Sequence, residues 1–591
     1  MRASTIARLA VPCACAAAFA LGSLAEAIAA TPSDSLSNAR SGRREAVSFS
    51  LADLEQRIPP EPLSPWSAVE EEIERLVARG ELPFEARDFR PVDRGELAAW
   101  LEASASGSAE AARGVSESHA RTILREMLRW DSAWLSAMQA TAWPHRPGSI
   151  LLARANDRLL LVTPYARAMP RFQTGEEPAW TDSSRFGIRA AFFAGRSLVV
   201  QGSMFAAEIE RGRTFADPLV ENTDFILHAD ELTLSARLGA LRLRLGRDRH
   251  QWGMGASGTL LLAESAQPFD FAEYQIRLGE RLRFLALTGI TDRHASLAGA
   301  NTNPGANRYL SAHRLQWTIT PDLALALAEG ARYQADQPGL LYLAGFVPYT
   351  LVERLEMQDE PSDSTENFLR NNVLWSADLS WRARPGLLIY GSILADDIAT
   401  QSASMPTRMG GQVGFSYAPQ WRGWDWTLAG EYARISDFTY SVYYQDVCRC
   451  DWEHQGRALG YARGPDVEAL LLRASVAPSV SWNFGSSVLH TRKGNGAIGR
   501  PWLPESTGCD PVTNEACGEV NAWSLDDARS SWRVQGEARF RYGPLLWAGV
   551  QAAWTWRKDA VSVNRESGYL EEKEADWESD TTLRCMISAG G

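Results

Sequence analysis

Residues 231–247 read ELTLSARLGALRLRLGR, and this stretch decides the fold. Leu232, Leu234 and Leu238 fall on one face of a period-2 strand. Gly239-Ala240 turns the chain, and Leu241, Leu243 and Leu245 then alternate with Arg242, Arg244 and Arg247. A strand points successive side chains to opposite faces. The hairpin therefore carries a leucine face and a guanidinium face, which on its own fits a soluble sandwich as well as a membrane wall.

Recurrence separates the two. From Leu159 onward, turn signals punctuate strand-like runs at Ala194-Gly195-Arg196, Gly239-Ala240, Gly279-Glu280, Pro321-Asp322, Pro385-Gly386, Arg422-Gly423, Pro478-Ser479 and Gly543-Pro544. Longer polar connectors lie between these hairpins, at 211–224, 247–272, 291–307, 335–367, 396–408, 436–466 and 494–529. Short turns alternating with long loops mark a bacterial outer-membrane barrel, which also leaves no open sheet edge. With a lead strand near Leu159–Phe172 and a closing strand holding Leu583, Cys585 and Ile587, the chain predicts an all-β fold. It is a transmembrane antiparallel β-barrel of about 16–18 strands.

The N-terminal region agrees. Residues 1–30 read as a signal peptide: Arg2 and Arg8, an apolar run from Leu9 to Leu24, then A-x-A cleavage candidates. Residues 31–63 are a Ser/Pro/Arg-rich linker. Residues 64–147 predict a periplasmic helical domain, and 155–591 the barrel. Ser67-x-x-Glu70 and Asp93-x-x-Glu96 are capping boxes. Val69, Ile73, Leu76 and Val77 share a helical face that Gly80 terminates. A further helix carries Ala120, Ile123, Leu124 and Met127. The segment WSAVEEEIERLVARGELP…RPVDRGELAAWL resembles a surface-layer-homology-type helical unit, and such a domain offers periplasmic contacts.

The net charge of −12 argues against a nucleic-acid partner. Twenty-two Trp and 15 Tyr suit interfacial girdles, and Trp421, Trp424 and Trp426, beside a short turn, are assigned to one. Trp252, Trp452 and Trp502, in long loops, suit stacking against sugar rings. Cys509 and Cys517 bracket a loop and are disulfide candidates, with cross-pairing to Cys448 or Cys450 open and Cys585 left odd.

Gly253-Met254-Gly255-Ala256-Ser257-Gly258 matches G-x-G-x-x-G, but no helix pattern follows it, so the glycines are read as serving a tight loop. No nucleophile elbow, no metal-spaced His/Cys set and no cofactor motif stands out, so neither catalysis, a metal nor a cofactor is expected. His313 and His490 are read as lumen-facing or structural, and Asp396-Asp397 as a solvated rim. Arg242, Arg244 and Arg247 are expected to line the lumen, paired with Glu208, Glu210 and Glu231 or serving an acidic solute.

The stretch Gly246-Arg247-Asp248-Arg249-His250-Gln251-Trp252-Gly253-Met254-Gly255, followed by GTLLLAESAQPFDF, resembles the capsule assembly Wzi family. Further family-like blocks follow in order: Arg308–Leu315, Asn367–Trp381 with Asp396-Asp397, Gly430–Ile435 with Phe438-Thr439-Tyr440, and Leu459-Gly460 with Gly464-Pro465-Asp466. The resemblance implies a Gram-negative outer-membrane barrel of about eighteen strands with a helical segment. Its implied partners are outer-membrane lipid and capsular or exopolysaccharide, bound without catalysis from outside, with Arg247, Gln251, Trp252, Gly253 and Gly255 as ligand-binding candidates. Met254 stands where the family often has Pro. A porin-like channel for anionic or sugar solutes is the alternative.

Overall fold

The computed structural model describes residues 69–589 apart from 108–117, 128–150, 156–157, 175–178, 183, 196, 209–224, 293–306, 360–370, 399–406, 443–449, 500–522, 524, 526–527, 544–545 and 559–576. Eighteen antiparallel strands close into one barrel. In chain order they are β1 (Arg158–Ala168, continued by Pro170–Gln173), β2 (Arg185–Ala194), β3 (Leu198–Glu208), β4 (Phe225–Leu238), β5 (Leu241–Asp248), β6 (Phe269–Leu278), β7 (Leu282–Asp292), β8 (Asn307–Thr320) and β9 (Leu323–Ala335). There follow β10 (Asn371–Arg384), β11 (Leu387–Asp397), β12 (Arg408–Tyr417), β13 (Trp424–Ile435), β14 (Val467–Ala477), β15 (Trp482–Lys493), β16 (Arg529–Tyr542), β17 (Leu546–Lys558) and β18 (Glu578–Ala589). The wall closes where β18 pairs with both halves of the first strand, Ile587 opposite Ala168 and Arg584 opposite Arg171.

The predicted short turns join these strands. Gly239 and Gly386 adopt φ of 64° and 85°, a left-handed conformation that a Cβ would oppose. Leu232, Leu238 and Leu245 stay exposed on the outer face, where only lipid can cover them, and Leu583 and Ile587 do the same on the last strand. Trp421 and Trp424 are exposed beside their turn, as a girdle requires.

Strand parity corrects one expectation. Arg242 and Arg244 share the inner face with Asp248, but Arg247 is odd-numbered and stands with Leu241, Leu243 and Leu245. It lies opposite the exposed Leu232 and pairs outside the lumen with Asp270, Nε to Oδ1 at 2.7 Å. Nor does either histidine face the lumen. His490 stacks on Trp532 at 4.2 Å on the outer wall, and His313 lies outside beneath a covering segment.

That segment is part of the long connector after β9. Helices Leu340–Ala344 and Tyr349–Asp359 fold down over the outer wall instead of standing above the mouth. They cover Tyr309, Ser311 and Tyr333, outward residues that would otherwise put hydroxyls into lipid. Glu329, also outward, accepts from the backbone N–H of Tyr349 (2.7 Å) and Thr350 (2.8 Å) and lies 3.3 Å from His313. A carboxylate at a helix N-terminus satisfies donors that the helix itself leaves open. Glu329→Ala is expected to cost about 1–3 kcal/mol by stranding those donors. Faster amide exchange confined to residues 349–359 would show it, and unchanged protection there would refute the assignment.

The helical unit sits in the short-turn mouth. Its first helix, Glu70–Arg79, ends at Gly80 with φ of 82°. Glu96 N–H donates to Asp93 Oδ1 at 2.9 Å, as the second capping box requires. Helix Glu70–Arg79 has Val69 at its N-cap position and no side-chain cap, and Ser67 lies outside the described residues. Ile73, Leu76, Phe84, Leu97 and Leu124 form the core of the unit, which continues into Leu388 and Tyr390 of the wall. Three contacts fix it against turns: Ala78 O accepts from Gly386 N–H, Val77 O from Arg382, and Ala418 O from Arg79.

Candidate functional site

The acidic run Glu70-Glu71-Glu72 and Glu74 would ordinarily be a solvated helix face. Here Glu71, Glu72 and Glu74 are buried, because the helix enters a mouth lined with arginines. Glu71 pairs with Arg75 at 2.6 Å and with Arg539 of β16, and Glu74 pairs with Arg473 of β14. The opening hairpin supplies the next socket: Arg242 reaches Glu96 at 2.6 Å and Asp93 at 3.8 Å, and Arg237 reaches Asp93 at 3.8 Å. Arg277 joins Glu96 at 2.8 Å. Among the described residues the ion-pair partners of Arg242 are thus the helical acids Glu96 and Asp93. Glu231 accepts from Gln201, and the Glu208 and Glu210 side chains lie outside the described residues. Arg244 pairs within the barrel, with Asp248 at 2.9 Å and Glu273 at 3.4 Å.

These pairs set the acid response of the plug. Burial alone would raise the Glu74 carboxyl, but the guanidinium groups of Arg473 and Arg87 outweigh it and hold it near 2. Glu71 and Glu96 are lowered in the same way, against burial, by Arg75 and Arg539 and by Arg242 and Arg283. Burial wins at Asp88 and Asp93, which are raised despite Arg314 and Arg242. A lowered carboxyl stabilises docking above its ordinary range and loses that contribution as pH falls through its folded value. For Glu74 the contribution is on the order of 3 kcal/mol, lost between about pH 4.5 and 2. Hydrogen exchange over residues 70–79 is expected to rise across that window, and Glu74→Gln to flatten the rise; an identical profile in the variant would refute it.

Above the plug, the connector after β5 turns inward instead of outward. Gln251-Trp252 forms a two-residue ladder with Phe89-Arg90 of the helical unit, and Gly253 N–H donates to Asp88 O at 2.8 Å. Two glycines make the turn possible. Gly253 has φ of 114°, and a Cβ on Gly255 would stand 2.0 Å from Gly258 O. No βαβ unit surrounds them, consistent with a tight loop. Glu431 of β13 then gathers the loop, accepting from Ala256 N–H, Ser257 N–H and Tyr390 Oη–H at 2.5, 2.9 and 2.7 Å.

Leu260-Leu261-Leu262 completes the arrangement by binding a second mouth loop. Tyr440 Oη–H donates to Leu260 O at 2.6 Å, Trp452 Nε1–H to Leu261 O at 2.7 Å, and Ala263 N–H to Leu459 O at 2.7 Å. Trp252 and Trp452 are 2% and 0% exposed, so neither offers a ring to a sugar. Gly253 and Gly255 are buried with them, Gln251 is half-buried in the ladder with Arg90, and Arg247 faces away from the lumen. Trp502, Cys509 and Cys517 lie outside the described residues. Cys450 is disulfide-bonded and Cys585 is free. Asp396 is no solvated rim: it is buried and accepts from Tyr440 N–H at 2.6 Å, anchoring the same loop. The Asp397 side chain lies outside the described residues.

The sequence missed Glu431 and Tyr440 as architects of the mouth. The signal was their place in the family-like blocks, not any spacing. Among the described residues, no group of His, Cys, Asp and Glu is arranged to hold a metal.

The family model for capsule assembly protein Wzi matches residues 182–542. The chain belongs to the Wzi family. The matched span runs from β2 to the end of β16 and so includes the inward loop and the mouth loop it holds. The fold is similar to that of Wzi from Escherichia coli, described as an outer-membrane carbohydrate-binding β-barrel involved in group 1 capsule assembly. The likeness has a TM-score of 0.53 at 12% identity over 89% of this chain and 99% of that one, which establishes shared architecture. OprD of Pseudomonas aeruginosa is also similar, with a TM-score of 0.38 and 11% identity over 74% of this chain and 93% of that one. OccAB1 of Acinetobacter baumannii gives 0.39 and 7% over 73% and 96%. No curated relative matches the sequence. The chain is an outer-membrane β-barrel of this family.

Proposed function

We propose that the protein holds capsular or exopolysaccharide at the outer face of the cell, by binding and without catalysis. Membership of the family supports the polymer class. The observation that carries the reading is the filled core of the lumen: plug, inward loop and mouth loop form one continuous packed and hydrogen-bonded column. That column stiffens the long-loop face from below and obstructs a porin-like route. Gln251, Trp252, Gly253 and Gly255 serve here as part of the scaffold beneath the binding face. Pre-organised loops bind a flexible polymer at less entropic cost than loops that must order first.

Deleting the gene is expected to strip polymer from the cell surface while secretion of polymer into the medium continues. Unchanged capsule retention would overturn the reading. A large, steady conductance of the purified full chain in a planar bilayer would favour the channel instead.

A further inference from the structure

Two arginines face each other across the seam that closes the barrel. Arg171, in the second half of β1, is the direct register partner of Arg584 in β18. Opposed residues share a face, and Arg584 lies between the exposed Leu583 and Cys585, so both guanidinium groups are on the lumen side. Arg533 of β16 is in phase with Arg539, whose side chain meets the plug, and therefore also faces inward. The three are close enough to repel one another, and Arg463 and Arg557 add positive potential at Arg533. The carboxylate that bears on Arg533 is Asp580, already paired with Arg557 at 2.5 Å.

Elsewhere in the lumen, inward arginines meet carboxylates: Arg242 has Glu96, Arg244 has Asp248, and Arg473 has Glu74. Among the described residues, no carboxylate lies within ion-pair distance of Arg171, Arg533 or Arg584. Arg171 gives one N–H to Gln173 at 2.7 Å. The Nε of Arg171 and of Arg533 are shielded from solvent and have no hydrogen-bond partner. Like charges directly opposite on neighbouring strands destabilise a sheet. Stranded guanidinium donors add to that cost. Both penalties vanish when an anion sits between the arginines and accepts from their forks. The adjoining inward position beside Arg584 is Gln551, and Thr555 stands between Arg533 and Asp580, neutral polar groups of the kind that meet hydroxyls.

We infer that Arg171, Arg533 and Arg584 form a lumenal site for the anionic group, carboxylate or phosphate ester, of an acidic saccharide. The inference rests on the proposed function for the saccharide that carries the anion; the anion site itself follows from the arginines.

Calorimetry on the full chain in detergent tests it, with tetragalacturonate, maltotetraose and inorganic phosphate as probes. Tetragalacturonate is expected to bind and maltotetraose not to. Arg584→Gln is expected to weaken binding by about tenfold, and Arg533→Gln with Arg584→Gln to abolish it. Arg584→Lys, which keeps the charge without the fork, falls between. Without ligand, Arg584→Gln is expected to unfold no earlier than wild type, since it relieves repulsion. Unchanged tetragalacturonate affinity in the double variant overturns the site. So does phosphate binding as tightly as tetragalacturonate, which would mean an anion hole with no saccharide preference. Either failure leaves the gene-deletion result, and hence the anchoring role, untouched.

Discussion

Arg314→Met is expected to unlatch the helical plug at a cost of about 3–5 kcal/mol. Arg314 lies on the inner face of β8, 1% exposed, and links two carboxylates: Asp88 of the plug at 2.7 Å and Asp378 of β10. Methionine fills much of the volume but leaves both acids buried without a counter-charge, the situation in which breaking a buried pair is costly. Asp88 O also receives Gly253 N–H, so the loss spreads to the inward loop. Hydrogen exchange is expected to accelerate together in residues 70–79 and 251–263, with an earlier thermal transition. Acceleration in one segment alone would show that plug and loop are not coupled through Asp88. A triple replacement of Arg314, Asp88 and Asp378 by apolar residues is expected to recover much of the loss, since it leaves no orphaned charge.

Trp452→Ala is the second large effect, about 3–5 kcal/mol from lost packing and the cavity left behind. The indole is fully buried, its Nε1–H donates to Leu261 O, and its ring edge lies against Gly330, where a Cβ would stand 2.5 Å from Cη2. Removing it separates the mouth loop from the inward loop while the barrel wall keeps its ladders. The expected phenotype is specific: the barrel still inserts and resists detergent, but cell-bound polymer falls. Trp452→Phe keeps most of the packing and loses the hydrogen bond, so its effect is expected to be smaller. Full retention of polymer by Trp452→Ala would show that the loop column does not support binding.

The distinction between wall and contents explains how much was legible in the chain. Where the turns fall and which leucines face lipid follow from alternation and from glycines at turns, properties of neighbouring residues. The turn at Gly239 and the lipid-facing Leu245 needed nothing else. The inward path of residues 249–268 was not legible, because a long connector looks the same whether it enters the lumen or stands above it. The same holds for helices Leu340–Ala344 and Tyr349–Asp359, which screen Glu329 and His313 on what pattern alone marks as a lipid face. The burial of Trp252 and Trp452 reversed their reading as sugar platforms for that reason.

By itself the sequence determined the two-faced strands, the barrel they close into and the family. Its period-2 pattern repeats over a few residues, and strand geometry converts that pattern directly into inside and outside. Only the tertiary structure decided what the inner charges do. Arg242 meets Glu96 across 146 residues of chain and Arg539 meets Glu71 across 468. Arg171 meets Arg584 only at the closing seam. Such partners depend on the register with which the barrel closes and on which segments enter it. Three-dimensional closure therefore turned one set of arginines into sockets for an acidic helix and left another facing each other around an anion's place.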